Sequence, residues 1–351
     1  MPAEEDMKHS SLFKFISITL FGLTVLSGCS KNKNTDAKRL SEVVVYTYDS
    51  FLGEWGAGPQ IEKLFEDKTG LNLTFVDCGD GLNLLNRATF EKKNVQADII
   101  LGLDNYTAYR AIEEKILDPY KPQNAETLLK EGLEKELSSD WSLTPYDYSH
   151  FAIIFNKEAN VAEPKSLADL TNQVYSKKII LMDPRTSTPG LGFFAWTLAV
   201  YGEKAEDYWK ALKPNILTMS SGWSEGWGLF QNGEAPLVIS YTTSPASDIE
   251  YNNMNRYDAP IFTDGHIIQV EGCGILKNCP NKEGAKKFID FIITDDAQKV
   301  LPLTQWMIPA NKNVELPDSY KKACPTVEKT LSVDPRFVEK NIDKIMAVLE
   351  K

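Results

Sequence analysis

From residue 43 onward, short apolar runs alternate with segments of helical periodicity, and this alternation narrows the choice of fold more than any other feature of the chain. VVVYTY (43–48) precedes GPQIEKLFEDKTG with its glycine stop; LNLTFVD leads into LNLLNRATFEKKN, and ADIILGLD into YTAYRAIEEKIL. After FAIIFNK the pattern resumes with SLADLTN, KKIILMD, the helix after Pro189, WSEGWGLFQNG and PLVISY. Such βαβα order implies an α/β fold of mostly parallel sheets flanked by helices on both faces. The 351 residues exceed what one compact core usually holds, which predicts two lobes. The boundaries expected are 42–146 for the first part of lobe 1, 147–265 for lobe 2, and 266–351 for the return of lobe 1 with the C-terminal helices. LTPYDYSHFAIIFNK (143–157) is the expected crossing, and HIIQVEGCGILKN (266–278) the expected return strand.

The N-terminal segment stands outside this pattern. Lys8 and Lys14 precede the apolar run FISITLFGLTVLSG (15–28), which is too short to span a membrane and reads as a secretory signal occupying residues 1–28. Its end, Leu26-Ser27-Gly28-Cys29, resembles the bacterial lipobox, so Cys29 is expected to carry a lipid and residues 29–41 to form a flexible tether. Met1 and Met7 both remain open as start positions. An exported protein, in the periplasm or on the outer face of a membrane and anchored through Cys29, is the expectation.

The net charge of −11 argues against nucleic acid and fits cationic or neutral small ligands. Beyond Cys29 the cysteines are Cys78, Cys273, Cys279 and Cys324; Cys273 could oxidise with Cys279, but spacing leaves the pairing open. Past the signal only His150 and His266 remain, too few for a zinc site built on histidines.

In open α/β sheets, ligands sit outside the carboxyl ends of the strands. Those positions hold Tyr48-Asp49-Ser50, Cys78-Gly79-Asp80-Gly81, Asp104-Asn105, Asp183 to Thr188, and Tyr241-Thr242-Thr243-Ser244. In RTSTPGLG (185–192), Thr188 is placed to cap a helix, with Pro189 at its first position. The backbone donors of Gly190 to Gly192, beside Ser187 and Thr188, suit an anion as well as water, although capping alone explains these residues. Templates for catalysis fail: no Gly-Lys-Ser/Thr follows TSTPG, and no Gly-x-Ser-x-Gly elbow is present. Acids such as Asp49 and Asp80 at strand ends more often bind or cap than catalyse. Binding is therefore the expected class, without a cofactor or metal. Trp223 and Trp227 stand four apart on one helical face, a spacing that usually means core packing, but Trp223 opens its helix and is positioned for a cleft. With Tyr241 and Trp306, such rings would flank a flat organic cation, each contact contributing up to ~2 kcal/mol. Asp80 would accept from an amino group on that ligand.

YTYDSF (46–51), LLNR (84–87), ADIILGLDN (97–105), DPRTSTPGLG (183–192), GWSEGWGLF (222–230), SYTTSPA (240–246) and WMIP (306–309) together resemble the periplasmic thiamine-binding proteins of bacterial ABC importers. The resemblance extends from about residue 43 to at least 320. It implies a two-lobed type II periplasmic-binding-protein fold that closes on thiamine, thiamine phosphate or thiamine pyrophosphate and delivers it, as a monomer, to permease subunits with their ATPase. It places Tyr48, Trp223, Tyr241 and Trp306 around the thiamine rings. Asp80, Gly81, Thr242, Thr243 and Ser244 fall among the polar contacts, and Ser187 and Thr188 near the phosphate end. The chain departs from the family at Ser247, where a further aromatic is expected, with Tyr251 as a candidate to compensate. A ferric-ion receptor of the same fold is the runner-up, and a secreted phosphatase acting on thiamine phosphates a third reading.

Overall fold

The structure, a computed structural model, describes residues 39–350; the signal peptide, Cys29 and all but the last three residues of the tether lie outside the described residues. The apolar runs form the strands β1 Glu42–Thr47, β2 Asn72–Asp77, β3 Ile99–Asp104, β4 Thr144–Asn156, β5 Ile179–Met182, β6 Ile216–Ser220, β7 Leu237–Tyr241 and β8 His266–Leu276. They lie in the order β2-β1-β3-β8-β4-β7-β5-β6. Two parallel blocks, β2-β1-β3 and β7-β5-β6, are joined by β8 and β4, which run antiparallel to each other and to their outer neighbours. The sheet is thus mixed.

The two long strands are what make one molecule of two blocks. In β4, Thr144 to His150 pair with β8, while Phe151 to Phe155 pair with β7. β8 in turn carries Glu271 to Ile275 along β3. Apolar side chains sort accordingly into two cores: one gathers Val45, Phe65, Ile99, Leu101 and Phe288, the other Ile153, Ile180, Trp196, Trp209 and Val238. Each core is buried between sheet and helices, as a βαβ pattern requires.

Five helices matter for the site: α1 Asp49–Leu52, α2 Gly81–Phe90, α3 Thr188–Tyr201, α4 Trp223–Gln231 and α5 Pro335–Glu350. α3 is apolar around its whole circumference and buried from Thr188 to Leu198, which a helix tolerates only inside a core. α5 corrects an expectation. It does not join the first core but buries Val338, Ile345 and Met346 in the second, because these residues share one face of an otherwise polar helix. The four described cysteines past the signal are all free, so the Cys273–Cys279 bridge does not form.

Helix α3 approaches β4 closely enough that a Cβ on Gly192 would lie 2.2 Å from the Phe151 ring. Gly192→Ala is therefore expected to lower unfolding stability by about 1–3 kcal/mol, the range for overpacking a core. Urea denaturation checks this; an unchanged midpoint would contradict the packing described.

Candidate functional site

Between the two cores lies a cleft of about 600 Å³. Strand ends build it, as the topology demands: Tyr48 follows β1, Asp80 follows β2, Thr188 follows β5, Trp223 follows β6, and Tyr241 ends β7.

Asp80 occupies the junction. Its Oδ1 accepts from the backbone N–H of Gly81 at 2.6 Å and of Thr188 at 2.9 Å, and its Oδ2 from Trp223 N–H at 3.2 Å. These N–H groups begin α2, α3 and α4, so one carboxylate caps three helices, two of them across the cleft. Each helix start presents orphan donors and a positive dipole end, and a carboxylate satisfies both. Close approach is needed to bring them together. A Cβ on Gly81 would lie 2.3 Å from Thr188 Oγ1, and one on Gly222 would lie 3.2 Å from Asp80 Oδ2. Asp49, also from the first block, faces Ser224 of α4 and accepts from the Ser50 N–H at 2.6 Å, and burial raises its pKa above the usual carboxylate value.

The cap of α3 differs from the expectation. Ser187, not Thr188, is the N-cap; Thr188 is the first helical residue, and no side chain of the turn itself caps it. Thr188 gives its N–H to Asp80 instead. Gly190 and Gly192 pack against Met182 and Phe151 rather than facing the cleft. The carboxylate arriving from the other block has taken over the capping role.

Aromatic rings form much of the remaining wall. Trp223 stacks on Trp227 at 5.7 Å with an 11° interplanar angle, and its Nε1 donates to Ser240 Oγ at 2.9 Å. Trp227 lines the cleft while packing on Phe230. Trp306 adopts φ +55°, a left-handed conformation rare for a bulky side chain, and is held between Tyr320 and Tyr251. Tyr251 also meets Trp55, which is 67% exposed at the cleft mouth. Four carboxyl residues, Asp49, Glu54, Asp80 and Glu271, line the space, and among the described residues no lysine, arginine or histidine does.

Beneath Tyr48 lies a buried acidic pair. Glu271 on β8 is the ladder partner of Asp147 on β4. Tyr48 and Tyr146 both donate to Glu271 Oε2 at 3.1 Å, and their hydroxyl oxygens are 3.1 Å apart. Neither oxygen of Asp147 has a donor among the described residues. Burial, with Asp104 adding to it, pushes Glu271 up to about 7, and burial beside Glu271 raises Asp147 well above the ordinary carboxylate value. Two neighbouring carboxyl groups without a cation cannot both ionise cheaply, so the pair holds a proton.

Residues 94–329 match the family model of bacterial extracellular solute-binding proteins. The chain belongs to that family. It is 37% identical over 331 residues to the thiamine-binding periplasmic protein of Brucella melitensis biotype 1, covering 94% of this chain and 95% of that one. To the thiamine-binding periplasmic protein of Escherichia coli K12 it is 38% identical over 286 residues, covering 80% and 84%. A solved periplasmic thiamin binding protein superposes with a TM-score of 0.81 at 35% identity, covering 88% of this chain and 96% of that one. The type II fold expected from the sequence is thereby shown.

Of the residues singled out in the sequence of this solute-binding protein, Tyr48, Asp80, Gly81, Thr188, Trp223, Tyr241, Ser244 and Trp306 line one cleft. Ser187, Thr242 and Thr243 do not. Ser187 is fully buried at the start of α3, and its hydroxyl has no partner among the described residues. Thr242 and Thr243 bond to Ser149 Oγ at 3.2 and 3.0 Å, tying the turn after β7 to the crossing strand. Ser247 and Tyr251 both line the cleft, so a ring is present one helical turn past the position where the aromatic is missing. Sequence reasoning missed Trp55, Trp227, Glu271 and Gln305 as lining residues. A lone glutamate inside the apolar run IIQVEGCGIL, and a tryptophan between glycines in GEWGAG, were the available signals.

Because Glu271 binds its proton more tightly folded than unfolded, it stabilises the fold at low pH, and that contribution is lost as pH rises through about 7. Asp147→Asn is expected to flatten the fall of melting temperature between about pH 5 and pH 8, since it removes the carboxyl group that burial beside Glu271 raises well above its ordinary value. Calorimetry at several pH values checks this; an unchanged slope would contradict the shared proton.

Proposed function

We propose that this solute-binding protein captures thiamine in the cleft and hands it to the membrane subunits of an ABC importer, with their ATPase supplying energy. It is a receptor rather than a catalyst, exported through its N-terminal signal and held at the membrane by a lipid on Cys29. The single observation that carries the reading is the composition of the wall: aromatic faces and carboxyl groups without one basic side chain among the described residues. Such a lining favours a flat organic cation, because ring faces and carboxylates both attract positive charge once water is excluded. The thiazolium of thiamine supplies that charge, and its aminopyrimidine supplies donors for the acidic and hydroxyl groups. The names of the relatives support the same ligand.

Titration calorimetry of the processed chain with thiamine, compared with the isolated aminopyrimidine half, tests the proposal. One thiamine per chain is expected, with the neutral half binding at least about 30-fold more weakly, equivalent to ~2 kcal/mol of cation attraction. Equal affinity for both, or no heat with thiamine, would overturn it. Replacing Trp223 and Trp306 with leucine is expected to weaken thiamine binding by a factor of about 10 or more; binding at undiminished strength would contradict the role given to the rings.

A further inference from the structure

A second cavity, of about 190 Å³, opens on the first block at the end remote from the cleft. The cleft is built outside the carboxyl ends of β1 and β2, whereas this cavity lies where β3 begins, since Ile275 of β8 is the ladder partner of Ile99. Buried Ala88, Ile116 and Leu276 line it together with exposed Lys92, Lys115 and Lys277, on a chain whose formal net charge is −11. Every acid in the segments that form it, 88–98, 113–118 and 276–282, already has a cation. Glu91 pairs with Arg87, Asp98 with Arg39, Glu113 with Arg336, Glu114 with Lys92 and Asp118 with Lys282. Lys93, Lys115 and Lys277 have no acidic partner among the described residues, so positive charge is left over at this end. Phe90, the last residue of α2 and two positions before Lys92, stands 90% exposed.

The tether enters the fold at the same end. Arg39 reaches Asp98 at 2.8 Å, and the Leu40 carbonyl accepts from Asn281 Nδ2 at 3.0 Å. The Asp98 carbonyl accepts in turn from the N–H of Leu276, in the wall of the cavity, at 2.9 Å. Arg39 lies ten residues on from Cys29, a separation that the chain can span by at most about 35 Å.

We propose that this end of the first block is a membrane-facing surface, whose unpaired lysines rest against anionic phospholipid headgroups while Phe90 meets the acyl boundary. The proposal rests on the reading of Cys29 as the lipid-bearing residue. Lysines are drawn to an anionic leaflet within about a Debye length, and lysine stems beside an aromatic ring suit the headgroup region. For an acidic chain free in solution this attraction would be weak. The short tether changes the balance, because it keeps the lysines at high effective concentration over the headgroups. Contact through this end turns the cleft away from the bilayer and toward the incoming solute. Being electrostatic, the contact is reversible, so the chain can still turn toward its importer.

The test uses the full processed chain on vesicles of phosphatidylcholine and on vesicles rich in phosphatidylglycerol, with lysine acetylation rates read by mass spectrometry. Lys93, Lys115 and Lys277 are expected to react at least about fivefold more slowly on the anionic vesicles, while Lys157 and Lys204 of the second block react at unchanged rates. Equal rates on both vesicles, or protection confined to the second block, overturns the proposal. Free glycerol phosphate that protects the same lysines equally would also overturn it, by assigning the cavity to a soluble anion. The soluble Cys29→Ser chain is expected to sediment weakly with the anionic vesicles at low salt, and to lose at least about tenfold in that binding when Lys93, Lys115 and Lys277 are all changed to Gln. Undiminished binding by that variant contradicts the role of the lysines, and its thiamine titration, expected to be unchanged, reports that the fold is intact. Retention on phosphatidylcholine reports the anchor alone. A chain that is not retained there sinks the lipid reading of Cys29, whereas a retained chain with unprotected lysines overturns only the membrane-facing surface.

Discussion

The carboxylate of Asp80 is the contact on which the arrangement of the cleft depends. Gly81, Thr188 and Trp223 each begin a helix, and all three direct a backbone N–H at it. Without a common acceptor, three positive helix ends would be brought close together with their orphan donors unmet. With it, the first core and the second share a polar joint at the mouth of their cleft. The long strands β4 and β8 join the cores covalently from below, and Asp80 joins them from above. Leu82, in the first turn of α2, accordingly packs with the second core although the rest of its helix belongs to the first.

Around this joint the wall is tuned for positive charge. Trp223 and Trp227 form one stacked face, while Tyr251 and Trp306 meet edge to face at 5.2 Å. The acidic pair on the crossing strands acts from beneath, since Glu271 reaches the cleft through the hydroxyl of Tyr48. A group raised to about 7 is partly protonated near neutrality, and a cation above it would favour the charged form. The same residues that shape the pocket therefore adjust its charge.

Much of this was legible in the chain. The alternation of apolar runs and helical segments gave the α/β class, and the rule about strand ends led to Tyr48, Asp80, Thr188, Trp223 and Tyr241, which the structure brings together. What periodicity could not show were relations across the fold. Whether Thr188 caps itself depends on where Asp80 arrives, 108 residues earlier in the chain. Thr242 and Thr243 read as ligand contacts from their place after a strand, yet Ser149 on the crossing strand claims both hydroxyls. Trp227 read as core from its spacing with Trp223; it packs as core on one side and lines the cleft on the other. The antiparallel direction of β4 and β8 and the seat of α5 on the second core were likewise set by tertiary packing. Glu271 was hidden for a related reason, because its significance lies in having Asp147 as its ladder partner.

The most direct measurement is the amide spectrum of the unliganded protein, isotopically labelled with nitrogen-15, compared between wild type and Asp80→Asn. An amide bonded to a carboxylate is charge-assisted, and loss of the charge shifts its resonance. The account predicts large shifts at Thr188 and Trp223 as well as at Gly81, three residues remote in sequence but joined by one acceptor. Shifts confined to Gly81 and its neighbours would contradict it, since they would show Asp80 capping its own helix alone.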